Sequence, residues 1–290
     1  MLCANRQRDA VKVVAAHTAK QDGPFICPEC CKDVILKKCR LKVDHFAHRP
    51  PVTCQYGSKE TEQHRACKTA IFDALSKCTN VTKLELERHL KEVRPDVSCY
   101  ISGVPVAIEV QLSALSYEAI LRRTEHYARK KIYVLWVAQW TPSLDTSERY
   151  SPRVWEKWCH AAYFGRVYYW KAGRTVVPYH FDSCLLDVPL SEWHDENGDE
   201  MSAGGYTRFS KRYRTPAKGR PLDIARDFVK CDHAGFTRGS IEVPQCRIYK
   251  DRYGKFDNLR VRAAVIEPEV ERGVAQIRGE DLEEDESCPW

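Results

Sequence analysis

The sequence predicts a mixed α/β (α+β) fold: a compact α/β core preceded by a small metal-binding module and followed by a C-terminal extension. Three features carry this reading. Cysteine and histidine concentrate in residues 1–57. Residues 58–140 run helix, strand, strand, helix, strand, the order of a compact α/β core. Composition then turns aromatic over 141–190 and highly charged over 191–290. With 290 residues, 43% of them apolar, the chain holds enough apolar material for one sizeable core or two modest ones. The longest apolar run, Ile132 to Ala138, reads as a buried strand and falls far short of the roughly 20 residues a membrane helix needs. Met1 to Lys12 lacks the continuous apolar stretch of a secretory signal, which predicts a cytoplasmic protein. In that reducing compartment the 14 cysteines are expected to bind metal or to pack as small buried groups rather than to form disulfides. A net charge of +6 is compatible with a nucleic-acid partner and equally with many ordinary enzymes. No internal repeat is evident.

Taken in order, the first module has a strand-like start at Val11 to Ala16, a Cys27-Pro28-Glu29-Cys30-Cys31 knuckle, an apolar run Val34-Ile35-Leu36, and His45-Phe46-Ala47-His48. Two close pairs, Cys27 with Cys30 and His45 with His48, suit four-coordinate structural zinc, with Cys31, Cys39 and Cys54 as substitute ligands. The alternative is that both histidines flank a buried Phe46 and contact phosphate, while the cysteines are buried thiols.

A helix is expected from Ser58, its N-cap, to about Lys77. On a helical wheel Glu60, His64 and Lys68 share a stripe about 80° wide with Ile71 and Leu75. The core-facing stripe therefore begins polar, which points to a site at that end unless the first turns simply reach solvent.

Arg94 to Ile101 and Val104 to Gln111 are β-prone runs around Ser102-Gly103, a hairpin signal. If those two residues form the turn, Asp96 directly opposes Glu109, and Gln111 shares the face of Glu109. Two opposed carboxylates repel unless a cation lies between them, and magnesium or manganese, which take oxygen ligands, would supply it. Two solvated acids on an exposed hairpin are the alternative, disfavoured by the apolar neighbours Val106, Ala107, Ile108 and Val110. Beyond the core, Val167 to Trp170 and Thr175 to Tyr179 flank Gly173 like a hairpin. The region after the acidic stretch Asp195 to Glu200, with its basic run Lys211 to Arg220 and acidic tail Glu280 to Glu286, reads as loosely ordered in large part.

The ordered blocks CPEC, VILKK, DHFAH, ETEQHRACK, RPDV, AIEVQLS, RRTEHY and IYVLWV, across residues 12–140, resemble the competence protein CoiA-like family, whose members are similar to PD-(D/E)XK nucleases. The resemblance implies a restriction-endonuclease-like core and metal-dependent cleavage of DNA, single- or double-stranded, linked to DNA uptake and recombination. It places the family's helix glutamate and histidine at Glu60 and His64, its metal aspartate at Asp96 and its ExQ at Glu109 and Gln111, with Arg123 and Tyr127 on the following helix. Asp96, Glu109 and Glu60 are then the expected magnesium or manganese ligands. Gln111 stands where most of the wider superfamily has lysine. An uncharged amide does not offset developing negative charge, so Lys68 or Arg123 is expected to supply that cation. The competing expectations are a non-catalytic zinc-containing DNA-binding protein and a nuclease acting against foreign DNA.

Overall fold

The computed structural model describes residues 1–260 apart from 55, 57–59, 113 and 147–148. The expected cap at Ser58 and the acidic tail from Glu280 lie outside the described residues. Five short strands open the chain: β1 (Cys3–Arg6), β2 (Lys12–Val14), β3 (Phe25–Ile26), β4 (Asp33–Lys37) and β5 (His45–His48). They form one antiparallel sheet in the order β2-β1-β3-β4-β5. Along β4, Val34 and Leu36 point inward while Ile35 faces solvent, the period of two that a half-buried strand imposes. They join Phe25 and Phe46, whose rings meet edge to face at 5.1 Å, in a core of only eight buried residues.

The second sheet is built from α1 (Glu62–Leu75), β6 (Val81–Leu86), β7 (Val97–Ile101), β8 (Val104–Gln111), α2 (Tyr117–Arg129) and β9 (Tyr133–Gln139). The short α3 (Ser143–Thr146) and α4 (Val154–Ala162) then lead to β10 (Val167–Ala172) and the long β11 (Thr175–Val188). β12 (Ser191–His194) and β13 (Glu200–Ala203) pair with each other, and β14 (Tyr206–Lys218) returns along β11. The last strands are β15 (Leu222–Asp223), β16 (Phe228–His233), β17 (Phe236–Arg238), β18 (Ile241–Val243) and β19 (Cys246–Asp251). The main path is β14-β11-β10-β9-β8-β7-β6. β8, β9 and β10 run parallel, joined by crossovers that contain α2 and α4. Such central strands are covered on both faces, which is why β9 is buried at every position from Tyr133 to Ala138.

The sheet does not stop at residues 140 or 190. The expected hairpin forms as β10 and β11, and the aromatic residues of the region are core: Trp158 on α4, Tyr163 at its end, and Tyr168 and Tyr169 on β10 are fully buried. Their polar ends are satisfied, with the Tyr168 hydroxyl donating to Asp251 at 2.6 Å and that of Tyr169 to Glu156 at 2.8 Å. β9 has one edge on β8 and divides the other lengthwise, with Val137 to Gln139 against β10 and Val134 against Ile248 of β19. The expectation of a loosely ordered region after 190 is therefore corrected as far as residue 260. Leu222, Ile224, Phe228, Ile248 and Leu259 are buried in the main core, because β9 has an open half-edge that only β19 fills. No helix among the described residues is long and apolar enough to cross a membrane.

Truncating Ile248, fully buried against Val134, should therefore cost about 2–5 kcal/mol in Ile248→Ala, read as a lowered urea midpoint at unchanged slope. A change below about 0.5 kcal/mol, usual for surface positions, would show that the last strands are not part of the cooperative core.

Candidate active site and metal centre

Ser102 and Gly103 both adopt positive φ, +49° and +79°, as a two-residue type I′ turn requires. That turn sets the register Ile101↔Val104 through Val97↔Ile108, the one that opposes Asp96 to Glu109 one step further on. β6 is in step as well, since Leu86 pairs with Val97. Leu86, Val97 and Ile108 thus form the last ladder row, and Glu87, Asp96 and Glu109 make an acidic row just past it. Here the chain leaves regular pairing. The Glu87 amide donates to the Asp96 carbonyl at 3.1 Å, and Asp96 Oδ2 accepts the Val110 amide at 2.8 Å. β8 continues alongside β9, so Glu109 and Gln111 alternate onto one face, paired with Trp136 and Ala138.

α1 supplies the opposite wall. Its N-cap is Thr61, whose hydroxyl accepts the His64 amide at 3.2 Å, and the helix starts at Glu62 rather than Ser58. Glu60 therefore precedes the helix, yet the expected stripe holds from the first turn inward: Lys68, Ile71 and Leu75 are buried. Lys68, 3% exposed, reaches Glu87 at 2.7 Å and Asp96 at 3.5 Å and is ion-paired to Glu60. His64 lies between two acids, with Nε2 3.2 Å from Asp96 and Nδ1 3.5 Å from Glu60. Glu87, absent from the sequence reading, also accepts the Leu2 and Cys3 amides and the Tyr56 hydroxyl, the last at 2.5 Å. Its signal was available in the ladder, since the β6 register that pairs Leu86 with Val97 also aligns residue 87 with 96.

α2, capped by Ser116, presents Arg123 and Tyr127 one turn apart. Both bond Glu109, the guanidinium to one carboxylate oxygen and the phenol to the other. Arg123 also lies over the Trp136 ring, 5.2 Å from its centre. Glu109 is 1% exposed. Its burial, with the nearby Asp96 charge, outweighs Arg123 and lifts its pKa to about 7. For Glu87 burial acts in the same upward direction, but Lys68 and the hydrogen bonds from Lys68 and Tyr56 overcome it and hold the group down at about 2. Asp96 is likewise held below the usual carboxylate range, its burial outweighed by Lys68 and His64. Burial disfavours charge on His64 and Lys68, yet the surrounding acids raise both.

The eight residues expected at the site, Glu60, His64, Lys68, Asp96, Glu109, Gln111, Arg123 and Tyr127, thus converge, with Gln111 adjoining Glu109 on β8. The side chains of Glu60, Glu87, Asp96 and Glu109 carry four potential negative charges, and Lys68 and Arg123 supply two permanent positive ones. Two negative charges are left for other groups: the amino group of Met1, 3.5 Å from Glu60, the protonatable His64, or a bound cation. Such a donor set fits a divalent metal held by oxygen.

In the N-terminal module the thiols of Cys27, Cys30 and Cys54 and a ring nitrogen of His48 lie within 4.8 Å of one another. This corrects the expected ligand set: Cys54 takes the place of His45. The two histidines sit three apart on a strand, so alternation sends them to opposite faces, and the Nδ1 of His45 instead meets the Val43 carbonyl at 3.0 Å. The Cys27 thiol is pushed up to about 11 by burial. This module is tied to the acidic row. Cys54 is two residues from Tyr56, and Arg94 stacks 4.1 Å over the Tyr56 ring while pairing with Glu29 of the knuckle.

A family model described as competence protein CoiA, nuclease-like domain, matches residues 60–155, and another described as competence protein CoiA, N-terminal domain, matches residues 9–57. The chain belongs to the CoiA-like family. Competence protein CoiA of Bacillus subtilis (strain 168) is 27% identical over 116 residues, a stretch that covers 39% of this chain and 31% of that relative. The chain thus spans about a third of the length of this curated relative. No solved structure matches. The CoiA nuclease-like range starts at Glu60 and contains the whole acidic row with Arg123 and Tyr127, and the CoiA N-terminal range contains all four residues of the cysteine-histidine cluster. The part of this CoiA-like chain from β10 onward lies outside both ranges.

The depressed pKa of Glu87 has a pH signature. A carboxyl at 4.5 when unfolded and about 2 when folded contributes stability that is fully present above pH 4.5 and lost as pH falls toward 2. Glu87→Gln should therefore cost roughly 2–4 kcal/mol at pH 7, with the gap to the unsubstituted protein closing below pH 4.5. A gap independent of pH in denaturant titrations would show that Glu87 acts by packing alone.

Proposed function

We propose that this chain is a metal-dependent deoxyribonuclease of the PD-(D/E)XK type with a restriction-endonuclease-like core. The observation that carries the reading is the acidic row at the strand ends of β6 to β8, facing α1 and α2, in which four carboxylates gather around the two permanent cations Lys68 and Arg123. Asp96 and Glu109, with Glu60 beside them, would hold magnesium or manganese. When bound, such an ion polarises the scissile phosphate and lowers the pKa of a coordinated water.

The protein's own groups divide the remaining work. Lys68 contacts three carboxylates and has almost no exposed surface, so it holds the acids in place and is not the cation that meets the substrate. Arg123 is bound to Glu109 yet keeps 29% of its side chain exposed, so it is the group positioned to meet a phosphate and offset the charge that Gln111 does not. His64, between Asp96 and Glu60, is placed to orient a water or a phosphate oxygen. The proton that burial favours on Glu109 near neutral pH must leave before that carboxylate binds an ion, so metal affinity should rise with pH through this range. The name of the Bacillus relative connects the reading to competence, and on that basis DNA taken up by the cell is the proposed substrate.

The test is incubation with single- and double-stranded DNA in magnesium or manganese. Cleavage should fall about 10²–10³-fold in Asp96→Ala and in Glu109→Ala, and Arg123→Ala should lose more than Arg123→Lys. Absence of cleavage, or cleavage unchanged in Asp96→Ala, would overturn the nuclease reading, and DNA binding retained without cleavage would make the chain a DNA-binding protein.

We also propose that Cys27, Cys30, His48 and Cys54 hold one structural zinc ion. A closed set of sulfur and nitrogen ligands leaves no open position for chemistry, and its contribution is to folding. Metal analysis should find one zinc per chain, lost in Cys54→Ala and kept in His45→Ala. The opposite pattern would restore the histidine-pair assignment.

A further inference from the structure

The segment outside both family ranges carries a feature that neither the core nor the acidic row uses. Between Leu185 and Phe209 the chain runs out along β11, turns through β12 and β13, and returns along β14, and no residue of this stretch is buried. It is a two-stranded ribbon that pairs only with itself. Such a ribbon is at best marginally stable alone in water, and this one exposes six large apolar side chains: Leu185, Leu190, Trp193, Met201, Tyr206 and Phe209. Trp193 faces Met201 across one pair, and Leu185 faces Phe209 across another.

Charge is divided along the same ribbon. The tip carries Glu192, Asp195, Glu196, Asp199 and Glu200 and no lysine or arginine, while β14 carries Arg208, Lys211, Arg212, Arg214 and Lys218 and no acid, its partner β11 adding Asp187 opposite Thr207 and Asp182 opposite Thr215. Lys218 pairs with Asp145, and among the described residues none of the other four bases is ion-paired to a carboxylate. At the rise of an extended chain the eight steps from Leu185 to Trp193 span up to roughly 25 Å, against a screening length of about 8–10 Å, and no ion pair joins tip and root among the described residues.

We propose that this ribbon is a self-association arm that docks antiparallel on the arm of a second copy of this chain, each acidic tip against its partner's basic root. A two-fold arrangement satisfies both charge blocks at once and covers the apolar side chains between them. The division also speaks against nucleic acid along the whole arm, because phosphates would meet five carboxylates at the tip.

Sedimentation of the full chain tests this with charge swaps at exposed positions, folding being checked by circular dichroism. The unsubstituted protein should be dimeric at micromolar concentration and dissociate at high salt. The tip-reversed variant (Glu192→Lys, Glu196→Lys, Asp199→Lys) and the root-reversed variant (Arg208→Glu, Lys211→Glu, Arg212→Glu) should each raise the dissociation constant at least about tenfold. Mixed together they should recover a heterodimer, since both contacts are then again between opposite charges. A protein monomeric at about 100 μM, a dimer indifferent to both reversals, or reversals that change only DNA retention would overturn the proposal.

Discussion

The ammonium of Lys68 is the group on which the site depends. It is placed on the buried stripe of α1 by the same period that buries Ile71 and Leu75, and it arrives there among Glu60, Glu87 and Asp96. Removing several carboxylates from water to this depth would cost far more than the fold could offset if they were unpaired. A single multiply hydrogen-bonded cation makes their burial tolerable. The consequence reaches beyond the pocket, because Glu87 also receives two amides of the N-terminal strand and the Tyr56 hydroxyl. One buried charge thus seats the cysteine-rich module on the core.

A different balance governs Glu109. Its neighbours Arg123 and Tyr127 do not fully offset its burial, and its pKa stands near 7, whereas Glu87, with Lys68 at 2.7 Å, stays ionised far into acid. Two glutamates on either side of Asp96 in one row are driven in opposite directions by which cation each one has. A carboxylate buried in this way holds its proton until a stronger positive charge offsets the cost of its burial.

Much of this was legible because a two-residue turn leaves little freedom of register. Once Ser102 and Gly103 are the turn, the opposition of Asp96 to Glu109 follows by counting, and the helical period places Lys68 with Ile71 and Leu75 in the same manner. What was not legible involved either distant pairing or a wrong assumption about local structure. The HxxH spacing alone does not say whether both histidines share a face; β5 is a strand, so His45 turns away and Cys54, six residues beyond His48, closes the set. Glu87 becomes visible only when β6 is aligned on β7 across a bulge between Thr82 and Glu85. The strands after residue 190 read as loose because their apolar residues are sparse, and nothing local shows that β9 has a half-edge waiting for Ile248.

The same reasoning separates the two roles of cationic side chains that composition alone merges. Lys68 and Arg123 both lie beside acids, and proximity alone does not distinguish them. Exposure decides between them. A cation enclosed by three carboxylates has its donors committed and its approach blocked, and moving it would strand buried negative charge. Arg123 presents a planar fork of five donors, only part of which Glu109 uses, over an aromatic ring that holds it without competing for its hydrogens. A guanidinium in that setting keeps donors free for a second oxyanion, so the group that fixes Glu109 is also the one able to contact a phosphate brought to it.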